Sequence, residues 1–178
     1  MASKTTSNGP TFYFAWATAW GPMGAVAGAG GLRRVVLPHY ALKDLEQLLA
    51  WEHPGALKSE QPFERLMSLT RDYFNARPAD FGGLACELPS EKTFGGLVLR
   101  ACRDIPAGRT MSYHLLAEKI NRPDAARAVA AALGKNSIPL VIPCHRVIYA
   151  NGDLGGFSAE GGLPLKQRML DLEKRMTS

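Results

Sequence analysis

Large and small residues alternate near the start of the chain. From Phe12 to Trp20 the alternate positions carry Phe, Phe, Trp, Thr and Trp. A period of two places such side chains on one face of a β-strand. The Gly21-Pro22 pair and the next glycine cluster predict turns, so Met23 to Ala27 and Leu32 to Leu37 become a second and a third strand. The pattern therefore predicts a three-stranded antiparallel sheet.

Two amphipathic helices follow the sheet. Apolar residues recur at intervals of three and four from Leu42 to Trp51 and from Gln61 to Ala76, with charged residues on the opposite faces. We expect both helices to bury their apolar stripes on the sheet. Between Arg77 and Lys92 the Pro and Gly residues predict a linker, with at most a short strand near Leu84 to Leu88.

The rest of the chain is predicted to be mainly helical. We place a domain boundary after the linker, between residues 1–89 and residues 90–178. Phe94 to Arg103 forms one helix, and a second begins behind Ser112, whose hydroxyl can accept a helix-start N–H. A third runs from Pro123 to Gly134, a residue that can adopt the left-handed conformation of many helix ends. The last two helices form a candidate helix-turn-helix.

The outer face of this third helix is unusual. Its buried stripe is expected to contain Ala126, Val129, Ala130 and Leu133, which leaves Arg127, Ala128, Ala131 and Lys135 outside. A face of methyl groups lets the backbone approach a nucleic-acid groove closely while the arginine reaches into it. The alternative is an alanine-rich solvent helix with a surface arginine, which is the commoner case on composition alone. The pattern leaves both interpretations open.

Composition limits the class of protein. The 178 residues are 46% hydrophobic and 21% charged, which is typical of a soluble globule with a real core. The net charge of +5 favours attraction to a polyanion such as nucleic acid. Thr11 to Leu32 carries no charge, but Gly and Pro interrupt it, so we interpret it as buried sheet and expect no membrane span.

The cysteines and the first residues bear on the compartment. Cys86, Cys102 and Cys144 are odd in number and widely spaced, which suits neither a disulfide framework nor a zinc quartet. His39, His53 and Cys86 also lack the spacing of a zinc set, so no metal is expected. The first ten residues lack the apolar region of a secretory signal. We therefore expect the cytoplasm, or the nucleus in a eukaryote.

A thiol and an imidazole stand side by side in the segment Ile142 to Val147. Cys144 is either a thiolate with His145 as its base, half of a metal site, or an inert thiol beside a structural histidine. An ordinary thiol has a pKa of about 8.5, so attack needs a base and nearby positive charge, for which Arg146 is adjacent. Neighbouring side chains diverge, and a water molecule can bridge the sulfur and the imidazole.

The residues before the cysteine carry two prolines. They make Ile138 to Pro143 unsuited to an ordinary helix or central strand, and we predict a rigid extended entry to Cys144. The amide of Asn136 can tie neighbouring backbone groups and brace the turn. The alternative is a plain turn residue.

A carboxylate borders the apolar stripe of the last helix. That stripe consists of Leu165, Met169, Leu172 and Met176. Glu173 either fixes the tautomer of His145 and stabilises its charged form, or lies at an exposed helix end and pairs with Lys166 or Arg175. The sequence favours neither alternative.

Together these features resemble one family. The string IPCHRV at 142–147 follows AARAVAAAL and an Asn, and precedes a Gly-Gly-Phe-Ser segment and a Lys-containing C-terminal helix. It resembles the O6-alkylguanine-DNA alkyltransferases, specifically from Phe94 to Glu173 and through the order of elements from Thr11 to Pro89. The resemblance implies an α/β plus α fold. It comprises a ribonuclease H-like N-terminal domain with the antiparallel three-stranded sheet, and a helical C-terminal domain with a winged-helix-like helix-turn-helix.

The resemblance also implies DNA repair by direct damage reversal. An alkyl group would move irreversibly, in a single turnover, from O6-alkylguanine, or from O4-alkylthymine, to Cys144. His145 would be the base that acts through water, Glu173 the carboxylate that orients it, and Asn136 the brace of the active-site turn. No cofactor is implied.

The implied partner is double-stranded DNA that contains the lesion. Arg127 would fill the gap left by the extruded nucleotide, while Tyr113 would push on the adjacent phosphate. Ala126, Ala128 and Ala131 would face the DNA with them. We expect a monomer and leave open cooperative binding along DNA.

The implied substrate pocket departs from the family in places. It would be formed by Arg146, Val147, Gly155, Gly156, Phe157 and Ser158. Phe157 stands where well-known members have a tyrosine that donates to O6 of guanine, so Ser158 is the neighbouring candidate donor. The stretch 158–162 looks two residues longer than in the compact form. Leu99 stands where a tryptophan is frequent, which implies only a changed core contact.

Two other functions compete with alkyl transfer. One is a non-enzymatic binder that flips the alkylated base without accepting the group and recruits other repair proteins. Such relatives lack the acceptor cysteine, whereas Cys144 is present here. The other is a Cys-His hydrolase, which needs an oxyanion site that the sequence does not indicate.

Overall fold

The N-terminal sheet has four strands in this computed structural model, which describes residues 9–177. Strands β1 (Phe12–Thr18), β2 (Gly21–Gly28) and β3 (Gly31–Val36) form the predicted antiparallel meander. The prediction of three strands is wrong by one, because β4 (Leu57–Lys58) pairs with β1 in parallel at the sheet edge. Two residues are too few to carry a periodic pattern. The prediction about a secretory signal lies almost entirely outside the described residues.

The first turn of the sheet lies two residues earlier in the chain than expected. Gly21 and Pro22 already belong to β2 and pair with Thr18 and Ala17 of β1. Gly21 has a φ of +124°, a conformation that favours glycine, so it starts the return strand directly after a two-residue turn.

Helices α1 (Leu42–Glu52) and α2 (Glu64–Phe74) lie on opposite faces of the sheet. Leu45 and Leu49 of α1 pack on one face, where a side chain at Gly24 would come within 2.7 Å of Leu49. On the other face the indole of Trp16 donates a hydrogen bond to Thr70 of α2 at 3.1 Å. Both predicted helices are confirmed, and the second starts as a 3-10 turn over Gln61–Phe63.

The linker is tied to the sheet although it forms no strand of its own. Cys86 makes a single bridge with Leu32, whose N–H donates to the Ala85 carbonyl at 2.9 Å. Glu87 pairs with Arg33 of β3 at 2.8 Å. The segment therefore fastens the start of the second half to strand β3.

The second half contains the predicted helices joined by a small parallel strand pair. Their bounds are α3 (Phe94–Arg103), β5 (Met111–Ser112), α4 (Tyr113–Lys119), α5 (Ala126–Leu133), β6 (Val147–Ile148) and α6 (Gly162–Met176). The Ser112 hydroxyl accepts from the N–H of Leu115 at 3.1 Å, which confirms the predicted cap. Gly134 has a φ of −61°, so the predicted left-handed end of α5 is wrong and the chain leaves in a right-handed turn.

One hydrophobic core includes buried residues from before and after the linker, among them Trp16, Phe63, Val98 and Met169. The edge strand β3 also reaches the second half, because the N–H of Val35 donates to the Ser137 carbonyl at 2.9 Å. The division at residue 89 stays a prediction. No helix within residues 9–177 is long and apolar enough to cross a membrane.

Candidate active site

The segment before Cys144 is a tight turn. The N–H of Ile142 donates to the Ile138 carbonyl at 2.9 Å, and Leu140 has a φ of +73°. The predicted extended entry is therefore wrong. The two prolines do restrict the backbone on either side, but a left-handed residue between them reverses the chain, a conformation that costs a non-glycine residue about 1 kcal/mol or more.

Asn136 holds this turn closed and also contacts the cysteine. Its side-chain oxygen accepts from the N–H of Ile138 at 3.0 Å, and its amide nitrogen donates to the Ile142 carbonyl at 2.9 Å. The same nitrogen lies 3.2 Å from Sγ of Cys144. Asn136 therefore lies on the turn that it was predicted to brace, and its amide nitrogen can also donate to the sulfur of Cys144.

Cys144 begins a 3-10 turn, Cys144–Arg146, and its side chain is buried. Burial raises the pKa of the thiol, because the thiolate loses contact with water. The Asn136 hydrogen bond, the charge of Lys166 and the backbone N–H of His145 act in the opposite direction. The groups that favour a thiolate are therefore already in place around the sulfur.

The structure brings together His145 and Glu173, one of the two alternatives left open by the sequence. Nε2 of His145 donates to Oε1 of Glu173 at 2.8 Å, and both side chains are fully buried. The tautomer follows from this pairing, since a carboxylate accepts: Nε2 carries the proton and Nδ1 does not. Nδ1 is buried and makes no hydrogen bond with any residue between 9 and 177.

Burial and hydrogen bonding act in opposite directions on this pair. Burial lowers the pKa of His145, and the hydrogen bond with Glu173 offsets part of this effect. Burial alone would raise the pKa of Glu173, but His145 and Arg146 outweigh it and hold this pKa well below its usual range. Burial therefore favours a neutral imidazole, and a charged carboxylate is hydrogen-bonded to its Nε2.

Arg146 does not line the substrate pocket, contrary to expectation. Its Nε and Nη2 donate to the two oxygens of Glu173 at 2.9 Å and 2.8 Å, and Nη1 donates to the Ile105 carbonyl at 2.5 Å. Its side chain therefore turns away from Cys144 into the carboxylate cluster. The charge that acts on the sulfur comes from Lys166 instead.

A cavity of about 280 Å³ opens above Cys144. Its lining consists of Tyr113, Ala130, Leu133, Gly134, Cys144, Tyr149, Gly156, Phe157 and Ser158. Gly156, Phe157 and Ser158, which were expected in the substrate pocket, lie in this lining, whereas Val147 and Gly155 do not. Val147 is fully buried, and Gly155 has a φ of +67° with the Tyr113 hydroxyl 2.5 Å from any Cβ placed there. That glycine lets the loop pass close to Tyr113.

Lys166 of α6 holds the loop that forms one wall of the cavity. Its ammonium donates to the carbonyls of Val147, Leu154 and Gly156 at 2.7, 2.5 and 3.1 Å. Burial lowers the pKa of Lys166 to about 8. The sequence predicted for Lys166 only an alternative pairing with Glu173 at an exposed helix end. Its spacing from Leu165, Met169 and Glu173 places it on the buried face, which is the signal that could have identified it.

The predicted DNA face is partly exposed. Arg127, Ala128 and Ala131 are exposed on α5, whereas Ala126 is half-buried. Tyr113 is buried at the start of α4, where its hydroxyl accepts from the N–H of Gly156. Tyr113 therefore stands in the cavity wall. Within residues 9–177 no cluster of three His, Cys, Asp or Glu side chains is placed to hold a metal ion.

The sequence and the fold are both similar to those of known proteins of one kind. A family model described as the DNA-binding domain of 6-O-methylguanine DNA methyltransferase matches residues 93–175. The inducible methylated-DNA–protein-cysteine methyltransferase of Bacillus subtilis is 34% identical over 161 residues, which cover 84% of each chain. The protein of that name from Mycobacterium bovis is 48% identical over 138 residues, covering 68% of this chain and 82% of its own.

A solved structure agrees with these sequence relatives. Mycobacterium tuberculosis OGT in complex with DNA matches 93% of this chain and 94% of its own, with a TM-score of 0.76 at 30% identity. The resemblance seen in the sequence is thus confirmed over nearly the whole length. This chain belongs to the methylated-DNA–protein-cysteine methyltransferase family.

Proposed function

We propose that this protein repairs DNA by moving an alkyl group from O6 of guanine to Sγ of Cys144, once per molecule. The thiolate attacks the alkyl carbon, a sulfur–carbon bond forms, and the bond between that carbon and O6 breaks. A thioether remains on the protein, and guanine is restored. The observation that carries the proposal is a buried cysteine at a base-sized cavity, backed by the paired His145 and Glu173.

The relay proposed for activation runs from Cys144 to His145 through a water molecule. Nδ1 of His145 is the unprotonated nitrogen, so it is the atom that can accept the thiol proton. Glu173 then stabilises the imidazolium that forms. The Asn136 amide and the charge of Lys166 stabilise the thiolate before attack.

The lesion must leave the double helix to reach the cavity. We propose that Arg127, exposed on α5, enters the duplex and stacks in the gap left by the flipped nucleotide. The exposed methyl groups of Ala128 and Ala131 permit the close approach that this requires. O4-alkylthymine is proposed as a second substrate.

The leaving guanine needs a donor at O6 other than a phenol at position 157. Phe157 and Ser158 both line the cavity, so the hydroxyl or the backbone N–H of Ser158 is the proposed donor.

We also propose a finer description of the fold: a ribonuclease H-like first half and a winged-helix-like second half. In solution we expect a monomer.

Mass spectrometry tests the proposal directly. After incubation with duplex DNA containing O6-methylguanine, we expect one methyl group on the peptide that contains Cys144, and none in Cys144→Ala. Cys102→Ala is the matched control and should react normally, since Cys102 is also buried but lies outside the cavity lining. A wild-type protein that binds the duplex but stays unmodified would favour the non-enzymatic binder instead.

The role of Arg127 is tested by comparing two substrates. Arg127→Ala should slow reaction with the duplex at least roughly tenfold, the cost of a lost stacking and charge contribution, yet leave reaction with free O6-benzylguanine within about twofold. Lys135→Ala, which removes a cation from an exposed position after α5, serves as control for the general effect of charge. An equal loss on both substrates would make Arg127 a structural residue.

A further inference from the structure

We infer that Tyr73, on α2 in the first half of the chain, is a positioning residue for alkyl transfer that sets the basicity of His145 through Glu173. The inference rests on the proposed function, because it takes His145 as the base. Tyr73 lies outside residues 93–175, the region matched by the family model. The relay would then be completed by a side chain from outside that region.

The contact is direct and buried. The Tyr73 hydroxyl donates to Oε1 of Glu173 at 2.9 Å across 100 residues of sequence. This is the same oxygen that accepts from Nε2 of His145, whereas the backbone N–H of Gly108 donates to the other oxygen at 3.2 Å. Tyr73 is 1% exposed and Glu173 is fully buried. The phenol therefore shares the oxygen on which the imidazole depends.

The ring alone does not explain the tyrosine. Tyr73 packs edge-on against Phe74 and Phe81, with ring centroids 5.2 Å and 5.9 Å away. A phenylalanine would keep both of these contacts. They fix the direction of the ring, so that the hydroxyl is held on Glu173 rather than free to rotate away.

The hydroxyl acts on the charge of the carboxylate. A donor to Oε1 withdraws part of the negative charge from that oxygen, so the carboxylate stabilises the imidazolium form of His145 less. His145 then stays neutral, and able to accept a proton, down to a lower pH. Burial, followed by the charge of Glu173, raises the pKa of Tyr73 well above its usual value, so Tyr73 remains a donor throughout.

Other charged or titratable groups around His145 are unchanged by removal of this hydroxyl. They are Glu173 and Lys166 on α6, Arg146 and Cys144 on the same turn, and Cys102 of α3, which interacts with Cys144. Arg146 alone donates twice to Glu173. The carboxylate therefore keeps its place without Tyr73, and the expected change is in proton affinity.

The experiment compares wild type with Tyr73→Phe. Rates of reaction with O6-benzylguanine are measured from about pH 5 to about pH 9, and the imidazole nitrogens are titrated by NMR in protein labelled with 15N-histidine. We expect the acid limb of the profile and the pKa of His145 to move to higher pH in the variant. If the imidazolium becomes a tenfold weaker acid, the rate should fall by up to about tenfold on the acid limb and stay within about twofold above pH 8.

Tyr40→Phe is the matched control, since Tyr40 packs with the cluster on the α1 face of the sheet. It should change neither measurement. Equal profiles and an equal pKa of His145 in wild type and Tyr73→Phe would overturn the inference. So would a rate lowered by the same factor at every pH, which indicates a purely structural role. If wild type forms no adduct on Cys144 with duplex DNA that contains O6-methylguanine, the proposed function fails, and the NMR titration still decides whether Tyr73 controls His145.

Discussion

The two buried charges of α6 are stabilised by different kinds of partner. Lys166, near the start of the helix, finds only backbone carbonyls as acceptors among residues 9–177, those of Val147, Leu154 and Gly156. Glu173, two turns later on the same face, accepts from Tyr73, Arg146 and the imidazole of His145. The partners of Lys166 are thus neutral backbone dipoles, whereas those of Glu173 are side chains that include a permanent cation and an imidazole that can take up a proton.

Because their partners differ, Lys166 and Glu173 have different roles in the site. Carbonyl oxygens do not titrate, so the hydrogen bonds of Lys166 fix the position of the loop before Phe157, while its charge favours the Cys144 thiolate from a distance. Glu173 is bonded to the group proposed to take the thiol proton, so a change in its charge reaches Cys144 through one side chain. One helix therefore supports the cavity wall with one end and the relay with the other.

Glu173→Gln should produce the largest effect, because it leaves Arg146 as an unpaired charge in the core. We expect a loss of about 3–5 kcal/mol in the free energy of unfolding. Alkyl transfer should slow by roughly 100-fold or more, since His145 loses its charged partner. Chemical denaturation and single-turnover kinetics measure the two losses.

Glu160→Gln is the matched control for that substitution. Glu160 pairs with Arg34 at 3.5 Å, and its side chain is 29% exposed. Its replacement should cost less than about 1 kcal/mol. If Glu173→Gln and Glu160→Gln proved equally mild, the buried hydrogen bonds of Glu173 would not be a major source of stability.

Lys166→Met should have an intermediate effect, which combines a loosened cavity wall with a weaker stabilisation of the Cys144 thiolate. Three carbonyls lose their donor, and we expect a loss of about 1–3 kcal/mol in the free energy of unfolding. Amide hydrogen exchange should increase between residues 154 and 158, while the pKa of His145 changes little. Lys119→Met is the control, because Lys119 pairs with a surface carboxylate, Asp104, at 3.2 Å.

The two ends should also respond to opposite extremes of pH. The lowered pKa of Glu173 means that its stabilisation is complete above about pH 4.3 and is lost as the pH falls below that value. The pKa of Lys166 is about 8 in the folded protein and about 10.4 in the unfolded chain. Between these two pH values the unfolded chain therefore binds more protons than the folded protein. Wild type should therefore gain stability relative to Lys166→Met as the pH rises between these values, and unfolding experiments at both extremes measure the differences.

The sequence predicted most of the fold and the central residues of the site. Period-two alternation identified β1, and spacings of three and four identified α1 to α3 and α6. Asn136, Cys144, His145 and Glu173 were singled out, and they lie together in the structure. Local patterns succeed here because they report which side of an element is buried.

The errors concern features without a local pattern. Strand β4 has only two residues, and the left-handed Leu140 reverses a segment whose prolines indicated an extended chain. Arg146 was expected in the substrate pocket because the resemblance to the family implied that place. Its guanidinium instead binds Glu173, the same carboxylate that His145 contacts, and a contact between distant parts of the chain has no local pattern.

The chain by itself determined that a thiol, an imidazole and a carboxylate were available on suitable elements, because residue type and periodicity are local properties. Only the tertiary structure decided which buried groups share hydrogen bonds. Tyr73 contacts Glu173 across 100 residues of sequence, and Lys166 donates to carbonyls of the segment that precedes its own helix. Each buried polar group must find partners among whatever the packing of distant elements brings near, and no pattern along the chain encodes that choice.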